Sequence, residues 1–455
     1  MKIEPGTFYI STMGCAKNLV DSSSIESLLL SQASLKFAEP AQAEFIIVNT
    51  CGFIHDARAE SISELEYFAR RKKRGQKLIA AGCLSQRYQE RLMEQVPGID
   101  GMIGTRDLGD ILPLLARLRE KTDASPSPFI PEHERIRFIS GLPGYTIQGR
   151  SSYLKIADGC QRSCAFCAIP GIKGSLVSRR KEDILSDALA LQEASMQEIN
   201  LIAQDVTDYG QDLGVQDGLP DLLEALLPAI PKVPWVRLLY TFPGYISERL
   251  IDLMAGSRQL LPYLDIPLQH ADPDVLRAMR RPPDVDWVRK TIAKMRARIP
   301  DLVIRTTFIV GFPNETEERF QTLLNFLREM QFDHVGVFTY SPEEGTPAEA
   351  LADPIPQAVK EARQEELMTL QAGISLQKNQ QLKHKIFSML VEGTDPEHNI
   401  LVGRTYRDAP EIDGLMIAEG TAEVGDMLSV RVKGAMQHDL YGEVVQPSTD
   451  RKSVV

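Results

Sequence analysis

Six cysteines, Cys15, Cys51, Cys83, Cys160, Cys164 and Cys167, carry the sharpest chemical signal in the sequence. Three of them fall on one short segment, Cys160-Gln161-Arg162-Ser163-Cys164-Ala165-Phe166-Cys167, with C-x₃-C-x₂-C spacing. Three thiolates so spaced can hold three irons of a 4Fe–4S cubane and leave the fourth iron open to a small molecule. A structural zinc site would use paired C-x₂-C or C…H arrangements with four ligands, which this segment lacks. A disulfide is not expected in a long chain without an export signal, for which the reducing cytosol is the default compartment. The first three cysteines are 36 and 32 residues apart and by themselves read either as buried thiols or as a metal site.

The elements around these residues decide whether they can meet. Apolar, β-rich runs at residues 7–12, 44–50 and 77–81 alternate with helical stretches at 22–31, 58–71 and 85–95, which predicts an open parallel sheet with helices on its faces. Each of the first three cysteines follows one of these strands, and ligands of such sheets lie at the carboxyl ends of strands. Residues 120–145, with Pro126, Pro128, Pro131 and Pro143, read as a connection. Strand–helix alternation then resumes, with strands at 153–157, 198–203, 235–240, 263–266, 303–310 and 334–340 and helices at 182–193, 284–298 and 316–330. Six such units predict a complete or partial β/α barrel with its chemistry at the carboxyl strand ends, closed by a helix at 357–371. Short β-type runs at 386–392, 400–404, 414–417 and 427–432 predict a small antiparallel barrel, and residues 448–455 read as a loose polar tail.

Composition agrees with three ordinary domains in 455 residues: 43% of them are hydrophobic and 25% charged, which excludes disorder and low complexity as whole-chain readings. No apolar stretch approaches the roughly 18 residues of a membrane span. The start, Met1-Lys2-Ile3-Glu4-Pro5, does not read as a signal peptide, so a cytoplasmic protein is expected. The net charge of −11 opposes direct nucleic-acid binding except through a local basic patch.

The segment Cys160–Cys167 resembles the signature of the radical S-adenosylmethionine (SAM) superfamily, C-x₃-C-x-aromatic-C. The resemblance implies that the open iron chelates SAM, that its reductive cleavage yields a 5′-deoxyadenosyl radical, and that Phe166 lies near the adenine. Thr306-Thr307-Phe308-Ile309-Val310-Gly311-Phe312-Pro313 is similar to the strand and turn that meets SAM, which makes Ile309, Val310 and Gly311 candidate cofactor contacts. A glycine there would permit close backbone approach to a ligand. Asn314 stands where relatives commonly have glycine, and asparagine tolerates the left-handed conformation.

With the first three cysteines added, nearly the whole chain resembles the methylthiotransferases. That family binds a second 4Fe–4S cluster through cysteines matching Cys15, Cys51 and Cys83, so two clusters and SAM are the implied cofactors, with none of the six cysteines spare. The implied organisation is an amino-terminal methylthiotransferase domain (5–122), a linker (123–145), a radical SAM domain (146–375) and a TRAM-like barrel (376–447). Of the two branches, one modifies adenosine in transfer RNA and the other an aspartate of small-subunit ribosomal protein number twelve. The segments 14–22, 49–54, 166–170 and above all Gly403-Arg404-Thr405-Tyr406-Arg407-Asp408-Ala409-Pro410-Glu411-Ile412-Asp413-Gly414 resemble the ribosomal-protein branch. Residues 376–447 hold seven basic and eleven acidic side chains, a balance of −4 that suits a basic protein partner better than phosphates. A methylthio group added to the aspartate β-carbon is the expected reaction, with unidentified electron and sulfur donors.

Transfer-RNA modification is the alternative, and a non-catalytic iron–sulfur scaffold or redox sensor is the reading from a different class. A sulfur-inserting enzyme for small molecules fits the terminal barrel less well. Asp21 or Ser22 is expected to cap a helix, with Ser23 where relatives often carry glutamate. Arg179-Arg180-Lys181 is read as a solvated helix entrance and Trp235 and Trp287 as packing residues, while His270, at a barrel strand end, reads either as a substrate contact or as a hydrogen-bonded structural histidine and is assigned no catalytic role.

Overall fold

A computed structural model describes residues 4–120, 133–352 and 354–445. Pro126, Pro128 and Pro131 of the expected connection and the tail 448–455 lie outside the described residues.

The first domain contains β1 (Glu4–Thr12), α1 (Ala16–Ser31), β2 (Lys36–Phe37), β3 (Ala43–Thr50), α2 (His55–Arg71), β4 (Lys77–Gly82), α3 (Cys83–Tyr88), α4 (Glu90–Gln95), β5 (Gly101–Met102) and α5 (Ile111–Glu120). All strand pairs are parallel, in the order β2-β1-β3-β4-β5. The strands are apolar almost throughout because both faces are covered. Phe45 and Ile47 enter one core with α1 and α5, while Ile46 and Val48 enter the other with α2, α3 and α4.

Two helix readings change. The first helix begins at Ala16 with Cys15 at its N-cap, so Asp21 and Ser22 are interior residues and cap nothing. Their polar groups are used by tertiary partners, which sequence spacing does not reveal. The expected helix at 85–95 is broken at Gln89, whose φ of 45° is left-handed.

The central domain adds β6 (Tyr145–Gln148), β7 (Ser151–Lys155), β8 (Ala157–Asp158), α6 (Ile169–Lys173), β9 (Val177–Ser178), α7 (Lys181–Glu193), β10 (Glu198–Ile202), α8 (Gly218–Ala229), β11 (Trp235–Leu238), α9 (Glu248–Gly256), β12 (Leu260–Asp265), α10 (Pro273–Ala278), α11 (Val285–Arg298), β13 (Val303–Val310), α12 (Glu317–Met330), β14 (His334–Thr339) and α13 (Gln357–Gln380). Strands β14-β13-β12-β11-β10-β7 run parallel, and β6 adds an antiparallel edge. The sheet is an open, partial barrel. Helix α13 extends nine residues beyond the expected end at 371.

The last domain is a closed barrel of β15 (Ile386–Asp395), β16 (Ile400–Thr405), β17 (Met416–Glu419), β18 (Met427–Ala435) and β19 (Leu440–Val444). It is not wholly antiparallel, because β17 and β19 pair in parallel. Strand β19 escapes the sequence pattern, because Gly442 interrupts its apolar alternation.

The inner face of the open sheet is filled from both neighbouring domains. Tyr153, Trp235 and Tyr263 pack there with Ala16 and Val20 of α1 and with Leu390 and Ala409 of the barrel. The segment 403–414 thus does not form an exposed acidic surface. It seats against the amino-terminal strand ends, where Arg404 meets Glu198 at 2.7 Å and Tyr263 donates to Asp413 at 2.6 Å. Arg237 bonds Glu198 at 2.9 Å and donates to the Tyr406 carbonyl at 2.8 Å. Arg404, Arg407, Asp408 and Asp413 are withdrawn from solvent. Two cations and two carboxylates leave the surface together, so the barrel's acidic excess persists on its other residues.

Burial alone would push the Glu198 carboxyl up, but Arg404 and Arg237 outweigh it and hold it at about 2. Glu198→Gln strands the buried Arg237 guanidinium and leaves Arg404 with Glu392 as its only carboxylate, and should cost about 3–5 kcal/mol in denaturant unfolding at neutral pH. A depressed carboxyl stabilises fully above its unfolded value of about 4.3 and loses that contribution as pH falls through the folded value. The gap between wild type and variant should therefore close between about pH 4.5 and pH 2; a gap constant over that range would contradict the assignment.

Candidate functional site

Cys15, Cys51 and Cys83 follow β1, β3 and β4, three neighbouring strands of one sheet. Register places Thr12 beside Asn49 and Thr50 beside Gly82, so their carboxyl ends lie level. Glycines let the loops close on one another. A Cβ on Gly14 would lie 2.6 Å from Cys51 Cβ and 3.0 Å from its Sγ, and one on Gly52 would lie 2.8 Å from the Leu84 nitrogen and Cα. Gly14 also has φ 91°, which favours glycine.

Two asparagines lock this junction. Asn18 Nδ2 donates to the carbonyls of Met13 and Thr50 at 2.9 and 3.0 Å, while Asn49 Nδ2 donates to the Asn18 carbonyl and Ser22 Oγ, both at 2.9 Å. Ser61 Oγ accepts the Cys51 N–H at 2.9 Å. Sequence reasoning gives Asn18, Asn49 and Ser61 no role. Asn18, one helical turn beyond the cysteine at the N-cap, is the readable signal.

The second set occupies the loop between β8 and α6. The Cys160 N–H donates to the Gly174 carbonyl at 3.1 Å, and that of Ala165 to Met279 at 2.9 Å. Arg281 Nη1 stands 3.8 Å from Cys164 Sγ. Phe166 and Ile309 pack into one apolar cluster with Val275, Met279, Phe312 and Tyr340, so the structure brings these two candidates together.

Val310 and Gly311 are placed differently from expectation. Strand β13 alternates, and Val310 points into the core beneath the helices. Gly311, at φ 75°, lies where a Cβ would overlap the Lys360 side chain, and its N–H donates to Glu315 Oε2 at 2.9 Å. Its glycine is required by that contact. Asn314 does adopt the left-handed region, at φ 76°.

His270 is buried, accepts the Asp272 N–H on Nδ1 at 2.9 Å and faces Glu315 at 3.3 Å, which is structural. Arg179 is buried rather than solvated and binds Asp187 at 2.7 Å. Trp235 is a core residue and Trp287 is partly exposed at 38%.

The first cysteine set adjoins the segment that follows the second across the domain interface. Cys83 shares a small buried cluster with Ala168 and Ile172, and Ala168 directly follows Cys167. Beside it Asp21 and Asp158 interleave with Lys155 and Lys173: Lys173 Nζ lies 3.0 Å from each aspartate. Burial would lower the Lys173 ammonium, but Asp158 and Asp21 hold it well above the usual range. At the rim, Arg58 and Arg87 each bind Glu343 at 2.9 Å, clamping residues of the central domain to the first.

All six cysteines are free. Burial pushes the Cys160 thiol up to about 11 and those of Cys83 and Cys167 up to about 12. Such thiols are poor nucleophiles at neutral pH. They suit a soft metal centre, whose binding displaces their protons.

Gly52→Ala tests the close approach. Overpacking by about 1–3 kcal/mol should raise local opening, and hence maleimide labelling of Cys51 and Cys83 in the metal-free protein, roughly 5- to 150-fold. Labelling of Cys160 and Cys167 should not change; parallel acceleration of both sets would indicate global unfolding instead.

Residues 7–104 match the family described as uncharacterized protein family UPF0004, 154–327 the radical SAM superfamily, and 385–445 the TRAM domain. The chain is similar to ribosomal protein uS12 methylthiotransferase RimO of Roseiflexus sp. (strain RS-1), 45% identical over 98% of this chain and 99% of the relative. The corresponding protein of Chloroflexus aurantiacus is 43% identical over 96% and 99%, and that of Aquifex aeolicus 42% over 95% and 96%. Among solved structures, the radical S-adenosylmethionine methyltransferase TsrM from Kitasatospora setae matches with TM-score 0.58 at 12% identity, over 75% of this chain and 74% of that one. OxsB, a cobalamin-dependent S-adenosylmethionine radical enzyme, matches with TM-score 0.54 at 10% identity, over 80% and 56%. These two likenesses concern the fold. Three domains in the matching order and near-complete coverage at 42–45% identity make the assignment plain: the chain belongs to the ribosomal protein uS12 methylthiotransferase RimO family of radical SAM enzymes.

Proposed function

We propose that the chain adds a methylthio group to the β-carbon of an aspartate in ribosomal protein uS12, using one 4Fe–4S cluster on Cys15, Cys51 and Cys83 and another on Cys160, Cys164 and Cys167. The observation that carries this reading is the approach of the two three-thiol segments to one another, with Cys83 packed against the residue that follows Cys167. When bound, the clusters and SAM supply a hydrogen-abstracting 5′-deoxyadenosyl radical and a methylthio donor.

The chain's own residues then hold and shield the reactants. Phe166 and Ile309 offer an apolar wall for an adenine beside the Cys160–Cys167 loop. Arg281 offsets thiolate charge at Cys164. The lysine–aspartate quartet and the Arg58/Arg87–Glu343 clamp keep the two domains apposed and water out, which protects a carbon radical from side reactions. Hydrogen-atom abstraction needs no side-chain base, and none is assigned.

The domain limits of 5–122, 146–375 and 376–447 belong to the same reading. The acidic excess left on the barrel surface suits the basic protein partner. Electron and sulfur donors are separate components, and the cytoplasm is the compartment where such a substrate is made. Among the described residues no helix is long and apolar enough to cross a membrane.

Anaerobic reconstitution should give about eight irons per chain. Replacing Cys15, Cys51 and Cys83 together by alanine should leave about four, retaining 5′-deoxyadenosine formation but losing the methylthio product. Replacing Cys160, Cys164 and Cys167 should abolish both products. Mass spectra of ribosomal proteins from cells with and without the gene test the substrate: an unchanged uS12 peptide beside a lost transfer-RNA modification would overturn the reading.

A further inference from the structure

Lys17 lies two residues beyond Cys15, in the first turn of α1. Its Nζ stands 3.2 Å from the centre of the Tyr240 ring, at the carboxyl end of β11. The side chain is partly exposed to solvent.

The other cations near the two cysteine sets are paired within the protein. Lys155 and Lys173 bind Asp21 and Asp158, and Arg162 binds Asp205 and Asp208. Arg305 binds Asp265 and Asp413, and Arg281 meets Cys164 and the Pro267 carbonyl. Lys17 makes no hydrogen bond or ion pair among the described residues; its one close contact is the Tyr240 ring. Cys15, Asp158 and Asp265 lie near enough to attract it and Lys173 to repel it, without an ion pair. A ring face holds an ammonium by only about 0.5–2 kcal/mol, which leaves the charge able to take an anionic partner.

We propose that Lys17 binds the carboxylate of the substrate aspartate, an assignment that rests on the function proposed above. A carboxylate buried between the two domains without a cation would meet a desolvation penalty of several kcal/mol. Attack at the adjacent β-carbon also requires that carboxylate to be held still. Lys17 supplies one movable point charge between the Cys15 side of the interface and the inner mouth of the central sheet. The carboxylate of SAM is the competing ligand. Lys17 lies on the first domain beside Cys15, whereas the loop expected to hold SAM belongs to the central domain, which favours the substrate.

The test uses reconstituted enzyme, full-length uS12, and uS12 carrying alanine in place of the target aspartate. Lys17→Met should raise KM for uS12 roughly 10- to 100-fold, the loss expected for a charged hydrogen bond, while KM for SAM and iron content hold. Lys17→Arg, which keeps the charge, should recover part of that loss. Wild-type enzyme should bind native uS12 more tightly than the alanine form by a similar factor, and Lys17→Met should not discriminate between them. Full discrimination by Lys17→Met, or a rise in KM for SAM instead, would overturn the assignment. So would wild-type enzyme that binds both forms equally, a result independent of how well the variant loads iron. Wild-type enzyme that leaves uS12 unmodified would overturn the function itself, and the assignment with it.

Discussion

Four charged side chains hold the reactive parts of this molecule in place. Asp21 on α1, Lys155 at the end of β7, Asp158 on β8 and Lys173 on α6 are at most 8% exposed and alternate in sign. Each ion would be costly to bury alone, and the network offsets that cost only with near-complete pairing. Its members come from both cysteine-bearing domains, so it specifies how those domains meet. Asp21 lies on the helix that Cys15 caps, and Asp158 lies two residues before Cys160. A shift of one domain against the other would separate the cysteine sets and leave buried charges unpaired.

The same constraint governs the central sheet. An open parallel sheet exposes an inner face that water cannot satisfy, and two neighbouring domains cover it. Helix α1 supplies Ala16 and Val20, while the carboxy-terminal barrel supplies Leu390 and Ala409. The barrel also places Arg404 against Glu198 and Asp413 against Tyr263 and Arg305. Asp408 and Asp413, in the segment that resembles the ribosomal-protein branch, therefore help to complete the floor of the central domain. Whatever the barrel binds outside must use its other residues, such as Glu392, Asp395, Glu397 and Glu423, which remain exposed.

Much of this architecture is legible in the amino-acid sequence. Strand β13 has the limits that its composition predicts, because its apolar run lies between Pro300-Asp301 and Gly311. The helices at 181–193, 285–298 and 317–330 carry clear periodicity, and Asp284 and Thr316 cap the last two through their side chains. The residues that depart from expectation share one cause. Asp21, Ser22 and Arg179 are polar residues that local rules assign to caps or solvent, and each is instead bonded to a group outside its own turn of chain. Val310 and Gly311 have the position of ligand contacts, and strand pleat and the Lys360 side chain also give them packing roles that the sequence does not reveal.

By itself the sequence determined the cysteine inventory, the order of three domains and the family, because spacing within one loop and apolar periodicity are local properties. Only the tertiary structure decided that Cys83 meets the residue after Cys167, that Arg404, Arg407, Asp408 and Asp413 of the 403–414 segment are withdrawn from solvent, and that Lys17 alone among the cations named above lacks an internal ion pair. Those outcomes depend on which charges find partners when separate domains close on one another. Pairing across 134 residues, as between Asp21 and Lys155, leaves no periodic trace in the chain.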